Sequence, residues 1–339
     1  MNKLKILLAA ICLVSLPALA RQFPLCLYGV NNPEDLKQIK EAGFSCIQSY
    51  KQDVKNMEKL AKEAQKQGIK VVFYPNKILG TPYEKKAQKW PVLAWYLVDE
   101  PEVHKWSREQ VIEKHRAAKQ AFPNHDTALV IGQGYTYPAF YDIPDVMMVD
   151  WYPVPHYPLQ TFGYQVNFLK EEMTKRQVQN HPLWAVVQAF DWKNFKQYRP
   201  DNDRIGRFPT AQEMRFMSYD AIANGATGLF YFTFTHQGSP LPQVEPEYWQ
   251  RVAQVVQELA QFKKIIEQGT SAENPVRVKE PLVMQSWQYE GHLYSVLVNQ
   301  DDERARKVPG ALLADKYTPL YGTHKEKKIP PYGVWILKK

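Results

Sequence analysis

The chain has 339 residues, 45% apolar and 13% aromatic, long enough for one large domain and a small one. Its formal charge of +8 is spread along the sequence and never interleaved with aromatics, which argues against nucleic acid as a partner. The eight histidines show no HxH or HExxH spacing, which disfavours a metal hydrolase, and three cysteines are too few for a disulfide scaffold.

Residues 1–20 read as a signal peptide. Lys3 and Lys5 precede an apolar run from Ile6 to Leu16, and Ala18-Leu19-Ala20 is a small-x-small cleavage signal. Cys12 follows Ile11, where a lipoprotein signal needs a small residue. No later segment is long and apolar enough to span a membrane. The mature protein is expected to be exported, periplasmic or secreted, and soluble.

From there strands and helices alternate. Strands are expected at Leu25–Val30, Ser45–Tyr50, Lys70–Pro75, Val92–Val98, Thr127–Gly132, Val146–Tyr152, Leu183–Phe190 and Thr227–Thr233. Helices are expected at Pro33–Ala42, Asp53–Gln67, Pro82–Lys89, Ser107–Ala121, Phe162–Arg176, Thr210–Asn224 and Glu247–Gln268. Ser107 with Gln110 has capping-box spacing, and Gly68 stops the second helix. Eight apolar strands in about 250 residues fit a (β/α)8 TIM barrel over residues 21–270. Cys26 and Cys46 fall on the first two strands. They read as buried free thiols, although an oxidising compartment would permit a bridge.

After Gly269 the pattern changes. Val276–Lys279, Val283–Tyr289, His292–Asn299, Ala305–Val308 and Gly333–Leu337 are short runs split by Gly, Pro and Asp. Residues 271–339 therefore read as a small all-β, sandwich-like domain. With few bulky core positions it would be marginal alone, so it should pack on the barrel, with Trp287 and Leu297 buried against each other or the barrel.

In such barrels the chemistry sits at the C-terminal strand ends. Strand four ends in Trp95-Tyr96-Leu97-Val98-Asp99-Glu100-Pro101, an apolar run halted by two acids and a proline. A carboxyl among aromatic neighbours has its ionised form disfavoured, which makes Glu100 a candidate general acid. Strand six ends at Asp150, either a loop cap or the second carboxylate of a glycosidase pair. The other strand ends offer Tyr28, Gln48, Tyr74, Asn76, Gln133, Tyr152, Gln188 and Tyr231. Amides and carboxylates suit sugar hydroxyls, and aromatic faces suit sugar C–H faces.

Asp99-Glu100-Pro101 resembles the Asn-Glu-Pro of clan A glycoside hydrolases, in which the Glu is the acid/base. The Asp150-x-Tyr152-Pro153 strand end, and Pro209-Thr210-x-x-Glu213-Met214-Arg215 leading to Gly225-Ala226-x-Gly228, resemble bacterial glycosidase-type barrels with a C-terminal β-domain. The resemblance implies a strand-seven nucleophile Glu, and this chain has Gln188 there. An amide cannot fill that role. Either Asp150 takes it, or an N-acetylated substrate supplies its own nucleophile, or the barrel only binds carbohydrate.

The expected function is an exported glycoside hydrolase acting on an oligo- or polysaccharide. Glu100 is the acid, Asp150 its partner, and Asp99 holds Glu100 or a sugar hydroxyl. The other strand-end residues line the sugar site, and neither cofactor nor metal is expected. Strands four and six are not neighbours, so the Glu100–Asp150 gap should be wide enough to admit the water of an inverting enzyme.

Overall fold

The computed structural model describes residues 22–132, 138–178, 180–198, 206–272, 278–313, 317–321 and 327–339. The signal-peptide reading, Gln133 and Val276 lie outside the described residues.

Eight parallel strands close into a barrel in chain order. They are β1 (Leu25–Leu27), β2 (Cys46–Gln48), β3 (Lys70–Phe73), β4 (Val92–Asp99), β5 (Asp126–Ile131), β6 (Val146–Asp150), β7 (Leu183–Gln188) and β8 (Gly228–Phe232). β8 pairs back onto β1 with Leu229 opposite Leu25, so no strand edge is left open. Side chains alternate between two cores, as a two-residue period requires. Cys26, Val72, Tyr96, Met148, Val186 and Phe230 fill the barrel interior. Their neighbours Leu27, Phe73, Trp95, Met147, Val187 and Tyr231 face the helix layer.

That layer contains α1 (Leu36–Glu41), α2 (Val54–Gln67), α3 (Tyr83–Ala87), α4 (Arg108–Ala121), α5 (Gln160–Lys175), α6 (Ala211–Ala223), α7 (Leu241–Val244) and α8 (Pro246–Gln268). No α-helix links β5 to β6 among the described residues. The ends follow local chemistry. Ser107 and Thr210 form reciprocal capping boxes with Gln110 and Glu213, each worth about 1 kcal/mol or somewhat more. Gly68 closes α2 in the left-handed conformation, φ 66°.

The free-thiol reading of Cys26 and Cys46 is corrected by the fold: the two are bridged. β1 and β2 pair with Cys26 directly opposite Cys46, and both side chains point into the barrel.

Past a two-stranded hairpin of β9 (Thr235–His236) and β10 (Ser239–Pro240), and past α8, the chain enters a five-stranded antiparallel sheet. Its members are β11 (Thr270–Ala272), β12 (Leu282–Tyr289), β13 (His292–Asn299), β15 (Thr318–Pro319) and β17 (Val334–Lys338), in the order β11-β12-β13-β17-β15. β14 (Arg306–Lys307) and β16 (Lys328–Ile329) form a second, two-stranded sheet. One face of the large sheet, carrying Trp287, Val296, Val298 and Ile336, joins the outer core of the barrel. Trp287 meets Phe262 of α8 edge-on at 5.7 Å. The other face packs Leu297, Trp335 and Leu337 against Val308, Leu312 and Ile329. Polar ties reinforce the seam. Arg215 of α6 pairs with Glu258 of α8 and donates to the Val334 carbonyl, and Gln300 donates to the buried Asp220 of α6.

Candidate active site

β4 is the longest barrel strand, and a β-bulge interrupts it. Tyr96 sits opposite Ala128 of β5, while Asp99 sits opposite Val130, so three residues advance against two. The extra residue shifts the side-chain phase and turns Asp99 inward, beside Tyr96. Tyr96 donates its hydroxyl hydrogen to Asp99 at 2.7 Å, and Tyr28 of β1 donates to Tyr96 at 3.1 Å. Glu100 follows with φ 37°, a left-handed backbone that costs a non-glycine residue about 1–3 kcal/mol. That turn sends its side chain over Gly132, the residue after β5, toward Asp150 at the end of β6.

Asp150 is buried and faces inward, in phase with Val146 and Met148. Tyr152 donates to its Oδ2 at 3.0 Å. The expected wide gap between the carboxyls is corrected: Glu100 and Asp150 face the same space over Gly132, where one added carbon would meet Glu100 Oε1 and lie 3.3 Å from Asp150 Oδ1. Between them lies Gly132, the residue that follows β5, which has no side chain. The Gly132 amide is itself held by Glu102 Oε1 at 2.6 Å.

The electrostatics follow from burial. Desolvation pushes Glu100 up to about 7, with Asp99 and Glu102 adding repulsion. Desolvation also holds Asp150 well above the usual carboxylate range, reinforced by Glu100. Two such carboxyls in contact cannot both ionise easily, so the pair keeps a proton near neutral pH. Asp99 is raised more modestly, by burial, and Tyr96 offsets part of that.

Aromatic rings encircle the pair. Tyr74 meets Tyr96 at 5.0 Å and Tyr50 at 6.3 Å, and Tyr50 meets Tyr28 at 6.0 Å. On the other side Tyr152 stacks on Phe232 at 5.6 Å and meets Phe190 edge-on at 5.0 Å. Phe195 stacks on Phe232 at 5.8 Å. Gln48 lies buried below, its Oε1 near the Gly29 amide and its Nε2 without a partner among the described residues. This cup of flat faces with convergent polar groups can hold a sugar ring and place a proton on it.

Three expected site residues go elsewhere. Tyr231 points into the helix layer, hydrogen-bonded to Ser218 at 2.7 Å, because the inward phase of β8 belongs to Phe230 and Phe232. Gln188 is spent on backbone: it accepts from Val154 N and donates to Val154 O, both at 2.8 Å, which ties the loop after β6 to β7. Asn76 sits exposed on the rim, 3.5 Å from Lys114 of α4. Trp95 also faces outward, stacked on Phe122 at 4.3 Å, so it is Tyr96 that borders the acids. Conversely, Glu102, Gly132, Phe190, Phe195 and Phe232 belong to the site and were not singled out from the sequence. Aromatics recurring at the ends of strands seven and eight were the available signal.

Clefts of about 720 and 410 Å3 open at the other end of the barrel, around Gln22, Lys70 and Thr227. No group of three or more His, Cys, Asp or Glu among the described residues is arranged to hold a metal ion. No described helix is long and apolar enough to cross a membrane.

Fold and topology define a (β/α)8-type barrel with a C-terminal β-domain, the architecture shared by many glycoside hydrolases. Solved structures of that class superpose along nearly the whole chain. The α-amylase of Geobacillus thermoleovorans complexed with acarbose matches with TM-score 0.55 and 12% identity, covering 94% of this chain and 98% of that one. AmyP in complex with maltose matches with TM-score 0.53 and 10% identity, over 97% and 98%. A GH30 endoxylanase from Clostridium papyrosolvens C71 matches with TM-score 0.53 and 11% identity, over 96% and 98%. At these identities the likeness is one of fold. No family model matches the chain, and no curated protein sequence matches it.

Proposed function

We propose that this chain is an exported glycoside hydrolase in which Glu100 is the general acid and Asp150 its partner carboxylate. The observation that carries the reading is the pair of buried carboxyls, Glu100 and Asp150, brought together over Gly132 at the C-terminal mouth of the barrel, inside an aromatic cup. A glycosidic oxygen seated against Glu100 would take the shared proton. Asp150, left as the carboxylate, would then face the oxocarbenium-like carbon and stabilise its charge or activate water. Asp99, oriented by Tyr96, would accept from a sugar hydroxyl. An oligo- or polysaccharide is the substrate class, in keeping with the maltose and acarbose held by structures of the same fold. Export is supported by the leader-like residues 1–20 and by the bridged Cys26 and Cys46, which suit an oxidising compartment.

The test is reducing-end release from a panel of neutral, acidic and N-acetylated glycans. The purified chain and Glu100→Gln are compared, and binding is followed separately. Turnover that Glu100→Gln abolishes while binding survives is the expected result. Binding without turnover in the unaltered protein favours the second reading, a carbohydrate-binding barrel, for which Gln188 and the close carboxyl contact both speak. The β-domain then has a supporting role only: removing residues 270–339 should cost folding, not specificity.

A further inference from the structure

Gly132 has an ordinary backbone conformation, so its φ does not call for glycine. Its surroundings do. A Cβ built there would collide with Glu100 Oε1, would lie 3.1 Å from the Glu100 carboxyl carbon, and would lie 3.3 Å from Asp150 Oδ1. β5 lies between β4 and β6 in the barrel, so any side chain at its end stands in the path from Glu100 to Asp150. The strand end is also held in place, because Glu102, two residues after Glu100, accepts the Gly132 amide at 2.6 Å. One short segment thus supplies both the acid and the clasp that fixes the gap it must cross.

We infer that Gly132 is a positioning residue: the missing side chain at the end of β5 is what lets Glu100 and Asp150 meet across the intervening strand, with Glu102 as the clasp. This rests on the proposed glycosidase reading for its catalytic meaning, but not for its geometry. The atom a new Cβ would strike is the far end of a flexible side chain, so the Gly132→Ala protein should fold and Glu100 should swing away. The titratable groups facing Glu100 are Asp99 on its own strand, Glu102 beyond it and Asp150 on β6, with Tyr152 behind Asp150. Freed from the pocket, Glu100 loses the desolvation and repulsion that keep it protonated near neutrality, and its titration moves down.

The experiment follows side-chain carboxyl carbons by 13C NMR through a pH titration in the full-length chain, its Gly132→Ala variant and a Gly310→Ala control. The control site, in the β-domain, has no atom within 4 Å of a Cβ and should change nothing. In the unaltered protein Glu100 and Asp150 should titrate as one coupled pair in two separated steps. In Gly132→Ala the coupling should collapse, with Glu100 titrating alone at lower pH. On a cleaved glycan kcat should fall about 10²-fold with KM changed little, and the basic limb of the pH profile should shift to lower pH. A coupled titration unchanged by Gly132→Ala overturns the inference whatever the activity, as does a collapsed one with unchanged kcat. A collapsed titration in a protein that cleaves no glycan leaves the positioning role standing and removes the glycosidase reading. If Gly132→Ala does not fold, adding Glu100→Ala relieves the collision and should restore folding; a double variant that stays unfolded overturns the inference.

Discussion

Two buried aspartates of this protein have partners of opposite kinds. Asp220, at the seam with the β-domain, accepts from the amides of Gln300 at 2.8 Å and Asn224 at 3.0 Å. Asp150, in the barrel mouth, has a tyrosine on one oxygen and another carboxyl beside it. Burial raises both above the ordinary carboxylate range. A raised pKa therefore does not separate function from architecture here; the chemistry of the partners does. Two amide donors on Oδ1 support the charged form of Asp220 and fix an interface. A second carboxyl leaves a proton available for transfer. Both regions also lean on a glycine: a Cβ at Gly163 of α5 would collide with Asp220, and one at Gly132 would collide with Glu100 beside Asp150.

The largest expected effect breaks the mouth and spares the seam. Glu100→Gln keeps shape and loses the transferable proton, so kcat on the true substrate should drop about 10²–10⁴-fold. The melting temperature should hold or rise, since a buried, repelled acid is gone. Steady-state kinetics beside a thermal melt checks both. A variant with unaltered turnover would remove Glu100 from the mechanism.

The converse substitution breaks the seam and spares the mouth. Asp220→Ala leaves the Gln300 and Asn224 amides buried without their acceptor, at a cost of about 1–3 kcal/mol. Urea unfolding should show that loss with kcat unchanged. Equal damage to turnover would mean that the two regions are not independent.

The strand ends show what the sequence could and could not convey. Eight apolar runs with short connections are legible because burial on both faces demands them, and Glu100 and Asp150 stand out as acids that stop such runs. Orientation is less legible. The bulge at Leu97 and Val98 re-aims Asp99 by one phase, and one residue separates outward Tyr231 from inward Phe232. Gln188 reads as a polar strand end, yet its amide is consumed by a loop from the neighbouring strand, a contact no local pattern encodes. Gly132 reads as the last residue of an expected strand; its meaning lies in two carboxyls far away in sequence. The cysteines were placed on adjacent strands, but their register, which decides bridging, is a tertiary fact.

A pH series sharpens the comparison further. Asp220 and Glu100 are each raised to about 7 from 3.8 and 4.5, so the folded state binds more protons than the unfolded state in between. Stability contributed by these groups is present in full below about pH 4, declines as pH rises toward about 7, and levels off above that. Asp220→Asn and Glu100→Gln should each flatten the slope of unfolding free energy against pH. Only the first should leave the pH–activity profile in place, with its fall above about pH 7 as the general acid deprotonates. Identical profiles for both variants would erase the distinction between the two acids.

The smallest effect tests what makes Asp150 differ from Asp220 in kind. Tyr152 is the hydroxyl donor that stabilises the charged form of Asp150, and no amide supports it among the described residues. Tyr152→Phe removes one hydrogen bond and keeps the ring stacked on Phe232, at a cost of about 1 kcal/mol. Ionised Asp150 should then be harder to form, and the step in which Asp150 ionises should move up. Carboxyl 13C NMR reads that shift directly, and the limb of the activity profile that Asp150 sets should follow it upward. At the seam, Gln300→Ala should likewise raise Asp220, but with no counterpart in the activity profile. If Tyr152→Phe left that step where it was, Asp150 would take its support from elsewhere in the mouth, and the two aspartates would differ in location rather than in chemistry.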